Sequence, residues 1–349
     1  MHMSDALLSP AVGATFWTGT LGTITYCSKK LKDNMDEKMM PLMGVMGAFI
    51  FAAQMINFTI PATGSSGHLG GGLLLAILLG PYAAFIVMAS VLTVQALFFA
   101  DGGLLALGCN IWNLGVYPCF IAYPLIYKSI AKGGSSSTRI LIAALISGVV
   151  GLQLGAFSVV LQTILSGRSE LSFGTFSLMM LPIHLAIGLV EGVITAGVIS
   201  YVRATKPELL ECVTASVPLS PSVSIRKVFV GFLVIAVLTG GLLSWFASAN
   251  PDGLEWSIAK IYGKPELPEQ EHGVSPILKK IQEKTAFLPD YNFKKDENKP
   301  EAEESGNKKA AYPNIEAGKS FSGLLGAIMV LGLIFILGFT IKAIRHRRT

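Results

Sequence analysis

Hydrophobic residues in this chain fall into long unbroken runs instead of alternating or heptad patterns. A run of about 20 apolar residues is long enough to cross the hydrocarbon core of a bilayer as a helix. The pattern predicts such helices near 10–28, 40–57, 81–99, 104–127, 140–165, 174–202, 228–247 and 322–343. A shorter apolar piece, 72–80 (GLLLAILLG), runs into Pro81 and would span only about 13 Å as a helix. Residues 248–320 break the pattern with 13 acidic and 11 basic residues and several prolines. That composition predicts a mobile loop without a core. The organisation expected is a first membrane unit over 1–205, a linker over 206–225, and a two-span unit over 226–349 that carries the loop 248–320.

Charge sorts these segments across the membrane. Outside 250–320 the chain holds 16 Lys and Arg, of which 15 fall in the clusters 29–38, 128–139, 203–227 and 342–348; Arg168 is the exception. Basic clusters next to membrane helices mark the cytoplasmic side. Between 38 and 128 the chain must then cross an even number of times, yet only three full-length spans occur there. The piece 72–80 supplies the fourth crossing if the loop before it, 59–71 (TIPATGSSGHLGG), dips into the membrane from outside. Irregular backbone at that depth is tolerated only when buried in protein or lining a cavity. The expected fold is therefore an all-α polytopic membrane protein with seven helices, then two more. Its N-terminus lies outside and its C-terminus in the cytoplasm. Lys29, Lys30 and Lys32 follow the first span, the reverse of a signal peptide, so the N-terminus is expected to be retained.

Composition narrows the function. The 349 residues are 52% hydrophobic and 14% charged, against about 25% charged in a soluble domain, and the mean hydropathy is +0.58. This excludes a cytosolic enzyme, a nucleic-acid binder and a disulfide-stapled secreted module. Cys27, Cys109, Cys119 and Cys212 show no CxxC spacing, so neither a disulfide framework nor a thiolate metal site is expected. No GxxxxGK[ST], GxSxG or HExxH pattern occurs, which leaves ATP hydrolysis and catalysis without a home.

The histidines carry the candidate chemistry. His272 and His346 lie in polar segments and read as solvated residues. The topology places His2 and His68 on the outer side, with His68 in the dipping loop. The Met1 amine, the deprotonated His2 amide and His2 Nδ1 can close adjacent five- and six-membered rings around a metal. A nitrogen from His68 would complete a four-nitrogen square, a geometry that favours Ni(II) or Cu(II). The alternative is an incidental second-position histidine and a loop histidine bonded to backbone. The glycines and serines around His68 (Gly64–Gly67, Gly70–Gly72) permit close backbone approach, which an inserted N-terminal segment would need. His184 and Glu191, seven apart on one helical face, are candidates for a proton relay or for a buried pair tying helices together. Gln54, Asn57, Gln95, Asn110 and Asn113 read as interhelical hydrogen-bond partners.

The segments MHMSDALLSPAVG, SSGHLGGGLLLAILLGPYAAF, ADGGLLALGCNIWNLGV and LPIHLAIGLVEGVITA resemble the CbiM/NikM substrate-binding membrane proteins of energy-coupling-factor cobalt and nickel transporters. NPDGLEWS at 250–257 resembles a companion NikN/CbiN-type protein, here fused. The resemblance covers nearly the whole chain, apart from the linker and the low-complexity loop. It implies a seven-helix substrate-binding unit that coordinates the ion through Met1, His2 and His68. It also implies a function without enzymatic activity of its own: capture of a divalent ion outside the cell, Ni(II) with Co(II) as the alternative, and delivery across the plasma membrane. No organic cofactor is implied. The expected partners are ATPase subunits, a coupling transmembrane protein and membrane lipid, with no nucleic acid. Many relatives begin MHIPDG, whereas here Met3-Ser4-Asp5-Ala6 follows His2. A stand-alone proton-coupled carrier using His184 and Glu191 is the competing function.

Overall fold

A computed structural model describes residues 2–34, 39–132, 136–168, 170–215, 217, 224–268, 273–294 and 313–346. Met1, His272 and the stretch 295–312 lie outside these residues, as does the side chain of His346. Helices occupy every predicted apolar run: α1 (Pro10–Asn34), α2 (Met39–Gln54), α3 (Gly72–Leu79), α4 (Pro81–Phe99), α7 (Ser137–Leu165), α8 (Phe173–Thr205), α10 (Arg226–Gly241) and α13 (Ala317–His346). The run near 104–127 is one continuous helix made of α5 (Leu107–Ile111), a π-helical stretch (Trp112–Tyr127) and α6 (Lys128–Ala131). Short helices α9 (Pro207–Ala215), α11 (Gly253–Tyr262) and α12 (Ser275–Thr285) lie in the polar segments.

Among the described residues, five helices are long and apolar enough to cross a membrane: Pro81–Phe99, Leu107–Ala131, Ser137–Leu165, Phe173–Thr205 and Ala317–Ala343. α1 has the length but is more polar. The hydroxyls of its Thr15, Thr18, Thr23 and Thr25 are satisfied by donating to carbonyls four residues back, as a lipid-facing helix requires. α3 ends at Gly80, whose φ of +80° is open to glycine, and Pro81 starts α4 at a position where its missing N–H is not needed. Pro118 and Pro124 sit within the π-helical stretch, where each removes a rung from the helical ladder.

α7 and α8 cross with their backbones almost touching. A Cβ on Gly192 would lie 2.6 Å from Leu145 Cα, and one on Gly148 3.1 Å from the Gly188 carbonyl oxygen. Small residues are how membrane helices gain dispersion contacts where no hydrophobic effect separates them from lipid. The same helices carry exposed Leu141, Ile146, Leu178, Leu189 and Val193 beside this contact. α10 and α13 pack on α2, so the last two long helices join the bundle instead of forming a separate body.

The fold is mostly helical, as expected, and the strands among the described residues form one short antiparallel hairpin across 58–67, β1 (Phe58–Ile60) with β2 (Ser65–Gly67). One expectation is corrected: the reading of 248–320 as chain without a core fails for its first part. Leu254, Ile258, Leu267, Ala286 and Leu288 are buried, because the apolar face of α11 packs on α8 and the chain flanking α12 carries the other three, while Ile277 and Ile281 of α12 itself stay exposed. The loop 59–71 is also buried, from Ser65 to Gly71.

Candidate metal site

The N-terminal segment threads into the bundle. Met3 is fully buried, and its N–H donates to Asn110 Oδ1 at 2.9 Å while Asn110 Nδ2 donates back to the Met3 carbonyl at 3.2 Å. Gly103 N–H donates to the same carbonyl at 2.9 Å, and Asp5 Oδ1 accepts from Ala106 N–H at 2.9 Å. Gly102 and Gly103 admit the segment, since a Cβ on Gly103 would overlap the Asp5 side chain. The amides Asn110 and Asn113 thus do more than bridge helices. Asn113 pairs with Gln162 at 2.8 Å and reaches the Met3 thioether at 3.8 Å.

This threading brings His2 beside His68, the residue after β2. Their rings stack with centroids 5.0 Å apart and planes 8° apart. Met1, the third predicted site residue, lies outside the described residues. His68 Nδ1 lies 2.9 Å from the Leu69 carbonyl; a carbonyl only accepts, so Nδ1 carries the proton and Nε2 the lone pair. His2 Nδ1 lies 3.1 Å from Asp101 Oδ1, and its Nε2 is buried with no hydrogen-bond partner among the described residues. Burial would raise the Asp101 carboxyl, but the adjacent His2 and the Tyr291 hydroxyl, which donates to Asp101 Oδ2, hold it well below the ordinary carboxylate range.

The two rings border a cavity of about 420 Å³. Asp5, Asp101, Asp252, Glu255 and Asp290 also line it, with Lys279 as the lysine, so its field favours cations. Its outer wall is the segment after α10. Asp252 caps α11, accepting from Leu254 and Glu255 N–H at 2.8 Å each, while Glu255 Oε2 accepts from Asp252 N–H at 3.0 Å. The sequence D-G-L-E is therefore a capping box. Gly253 is required because a Cβ there would lie 2.7 Å from Ile183 and 3.1 Å from His184. This motif sits on the His68 hairpin: Ser66 N–H donates to the Pro251 carbonyl at 2.8 Å, and Trp256 Nε1 to the Thr63 carbonyl at 3.0 Å.

A family model described as the cobalt uptake substrate-specific transmembrane region, CbiM, matches residues 2–209, and a PDGLE domain model matches 226–343. The chain belongs to the CbiM family. This CbiM-family membrane protein is 33% identical over 345 residues to a relative named as a fused nickel transport protein, NikMN, of Archaeoglobus fulgidus, covering 97% of this chain and 98% of the relative. It is 28% identical over 218 residues to the cobalt transport protein CbiM of Sorangium cellulosum, covering 60% of this chain and 95% of that one. A crystal structure of a truncated transition metal transporter superposes with a TM-score of 0.52 at 32% identity, covering 59% of this chain and 99% of the other.

Among the described residues, no three His, Cys, Asp or Glu side chains converge as a metal cage. A chelate that draws on main-chain nitrogens needs none. His184 and Glu191 are not bonded to each other: His184 Nδ1 donates to the Met180 carbonyl at 2.8 Å, and Glu191 accepts from the Gly70 and Gly71 amides. Sequence reasoning missed Asp101, Asp252 and Tyr291. Asp252 had a legible signal, the D-x-x-E spacing; Asp101 and Tyr291 are isolated residues whose roles arise only from folding.

Proposed function

We propose that this chain captures Ni(II) on the outer face of the plasma membrane and passes it inward as the substrate-specific component of an ATP-driven energy-coupling-factor importer. The observation that carries the reading is the stacked pair His2 and His68 at the edge of a carboxylate-lined cavity. A metal–nitrogen bond is about 2 Å, so imidazoles with centroids 5.0 Å apart are close enough to share one ion once the His2 ring turns out of the stack. The Met1 amine, the His2 amide, His2 Nδ1 and His68 Nε2 then form a planar four-nitrogen set. Entry of the ion requires His2 Nδ1 to leave Asp101 by rotation about Cβ–Cγ. Planar nitrogen coordination and the name of the fused relative from Archaeoglobus fulgidus support nickel; Co(II) is the alternative substrate.

Seven crossings up to residue 205 and two after it, with the N-terminus outside and the C-terminus in the cytoplasm, place this set on the outer side. The basic clusters and the burial of 65–71 support that orientation. The chain offers no nucleotide-binding loop, so ATP hydrolysis belongs to separate ATPase subunits joined through a coupling membrane protein. The proton-carrier reading has no observation in its favour, because His184 and Glu191 are each engaged by backbone. Uptake of radioactive nickel into proteoliposomes tests the proposal. Uptake should require the ATPase and coupling subunits together with ATP, and should be indifferent to a pH gradient. Gradient-driven uptake by this chain alone would overturn it.

A further inference from the structure

Glu191 lies in the middle of α8, 2% exposed. Among the described residues no cation pairs with it. A buried carboxylate without a counter-charge is costly unless hydrogen bonds satisfy it. Here the donors are two successive main-chain amides: Gly70 N–H to Oε2 at 2.8 Å and Gly71 N–H to Oε1 at 3.2 Å. Gly71 has a φ of +79°, and consecutive amides flanking such a residue form a concavity suited to an anion. Gly70 is bound to the arrangement sterically, since a Cβ there would sit 2.8 Å from Glu191 Oε2. From the other side, Gln54 Nε2 donates to the Gly70 carbonyl at 2.9 Å and is itself held by Gln95 at 2.9 Å. The peptide two residues beyond His68 is thus gripped by α8 on one side and α2 on the other.

We propose that Glu191 is a positioning residue for metal capture. Its carboxylate clamps the main chain at Gly70–Gly71 and so fixes where the His68 imidazole points. The inference rests on the assignment of His68 as a ligand. Hydrogen bonds to a charged acceptor are roughly twice as strong as neutral ones, and a glutamine at 191 would turn an N–H₂ group toward an amide donor, so the clamp depends on the carboxylate itself.

The test titrates the purified full chain with nickel and records the visible spectrum of the bound ion for wild type, His68→Ala, Glu191→Gln and Thr195→Val. Thr195 lies one turn further along α8, also buried, and serves as the control for packing. Glu191→Gln should weaken nickel binding by about 10–100-fold, the range for outer-shell partners, and shift the absorption away from that of planar nickel. Thr195→Val should change neither. If Glu191→Gln does not yield folded protein, Gly70→Ala carries the same test from the loop side, because it displaces the carboxylate. A folded variant with wild-type affinity and spectrum overturns the clamp. If His68→Ala also kept its nickel, the metal assignment itself would fall; loss in His68→Ala alone removes only the clamp.

Discussion

Capping the Met1 amine with an uncleaved N-terminal tag is expected to weaken nickel binding as severely as His2→Ala, although every side chain of the site is retained. The amine and the His2 amide close the five-membered ring of the chelate, and a tag turns that amine into an amide inside a longer chain. The loss should exceed the about 10–100-fold typical of outer-shell partners, because a direct ligand is removed. An alanine inserted between Met1 and His2 should act differently. The chain then offers one amine, two amides and the histidine Nδ1, four nitrogens in fused five-, five- and six-membered rings, so nickel binding should persist but no longer depend on His68. Calorimetric titration of the tagged, inserted and wild-type proteins checks both.

The second large effect concerns the scaffold. Gly192→Leu should separate α7 from α8, since the new side chain would start 2.6 Å from Leu145 Cα and 3.0 Å from the Ala144 carbonyl oxygen. Overpacking within a core costs about 1–3 kcal/mol, and here backbone must move rather than a side chain, which puts the cost at or above the top of that range. Gly197→Leu, on the same helix, meets nothing within 4 Å and should be tolerated. Thermal unfolding in detergent should show a large drop for the first variant and little change for the second.

Hydrophobic run length proved a good guide to the helices, because a lipid-facing helix must be apolar along its whole length. It even located α3, whose eight residues are far too short to cross a bilayer by themselves. The hairpin around Thr63 was not legible: its residues are polar and glycine-rich, and its pairing is stabilised by contacts with Pro251 and Trp256 from nearly two hundred residues away. The same distance explains the error over 248–320. The apolar face of α11 looks like surface chain until α8, which covers it, is known to lie beside it.

At the site, His2 and His68 could be nominated because coordination chemistry depends on residue type and chain position. Their supports could not. Asp101 and Tyr291 meet across 190 residues, and the partner of Glu191 is backbone, which no side-chain pattern reveals. The pairing of His184 with Glu191 was suggested by helical periodicity, which correctly places both on one face but says nothing of what each touches.

The most direct measurement of the central claim is the nickel content of purified wild-type and His68→Ala proteins after equilibration with nickel and removal of free metal. The account predicts close to one nickel per wild-type chain and a near-complete loss in His68→Ala, with both proteins equally folded. Equal nickel in the two proteins would contradict it.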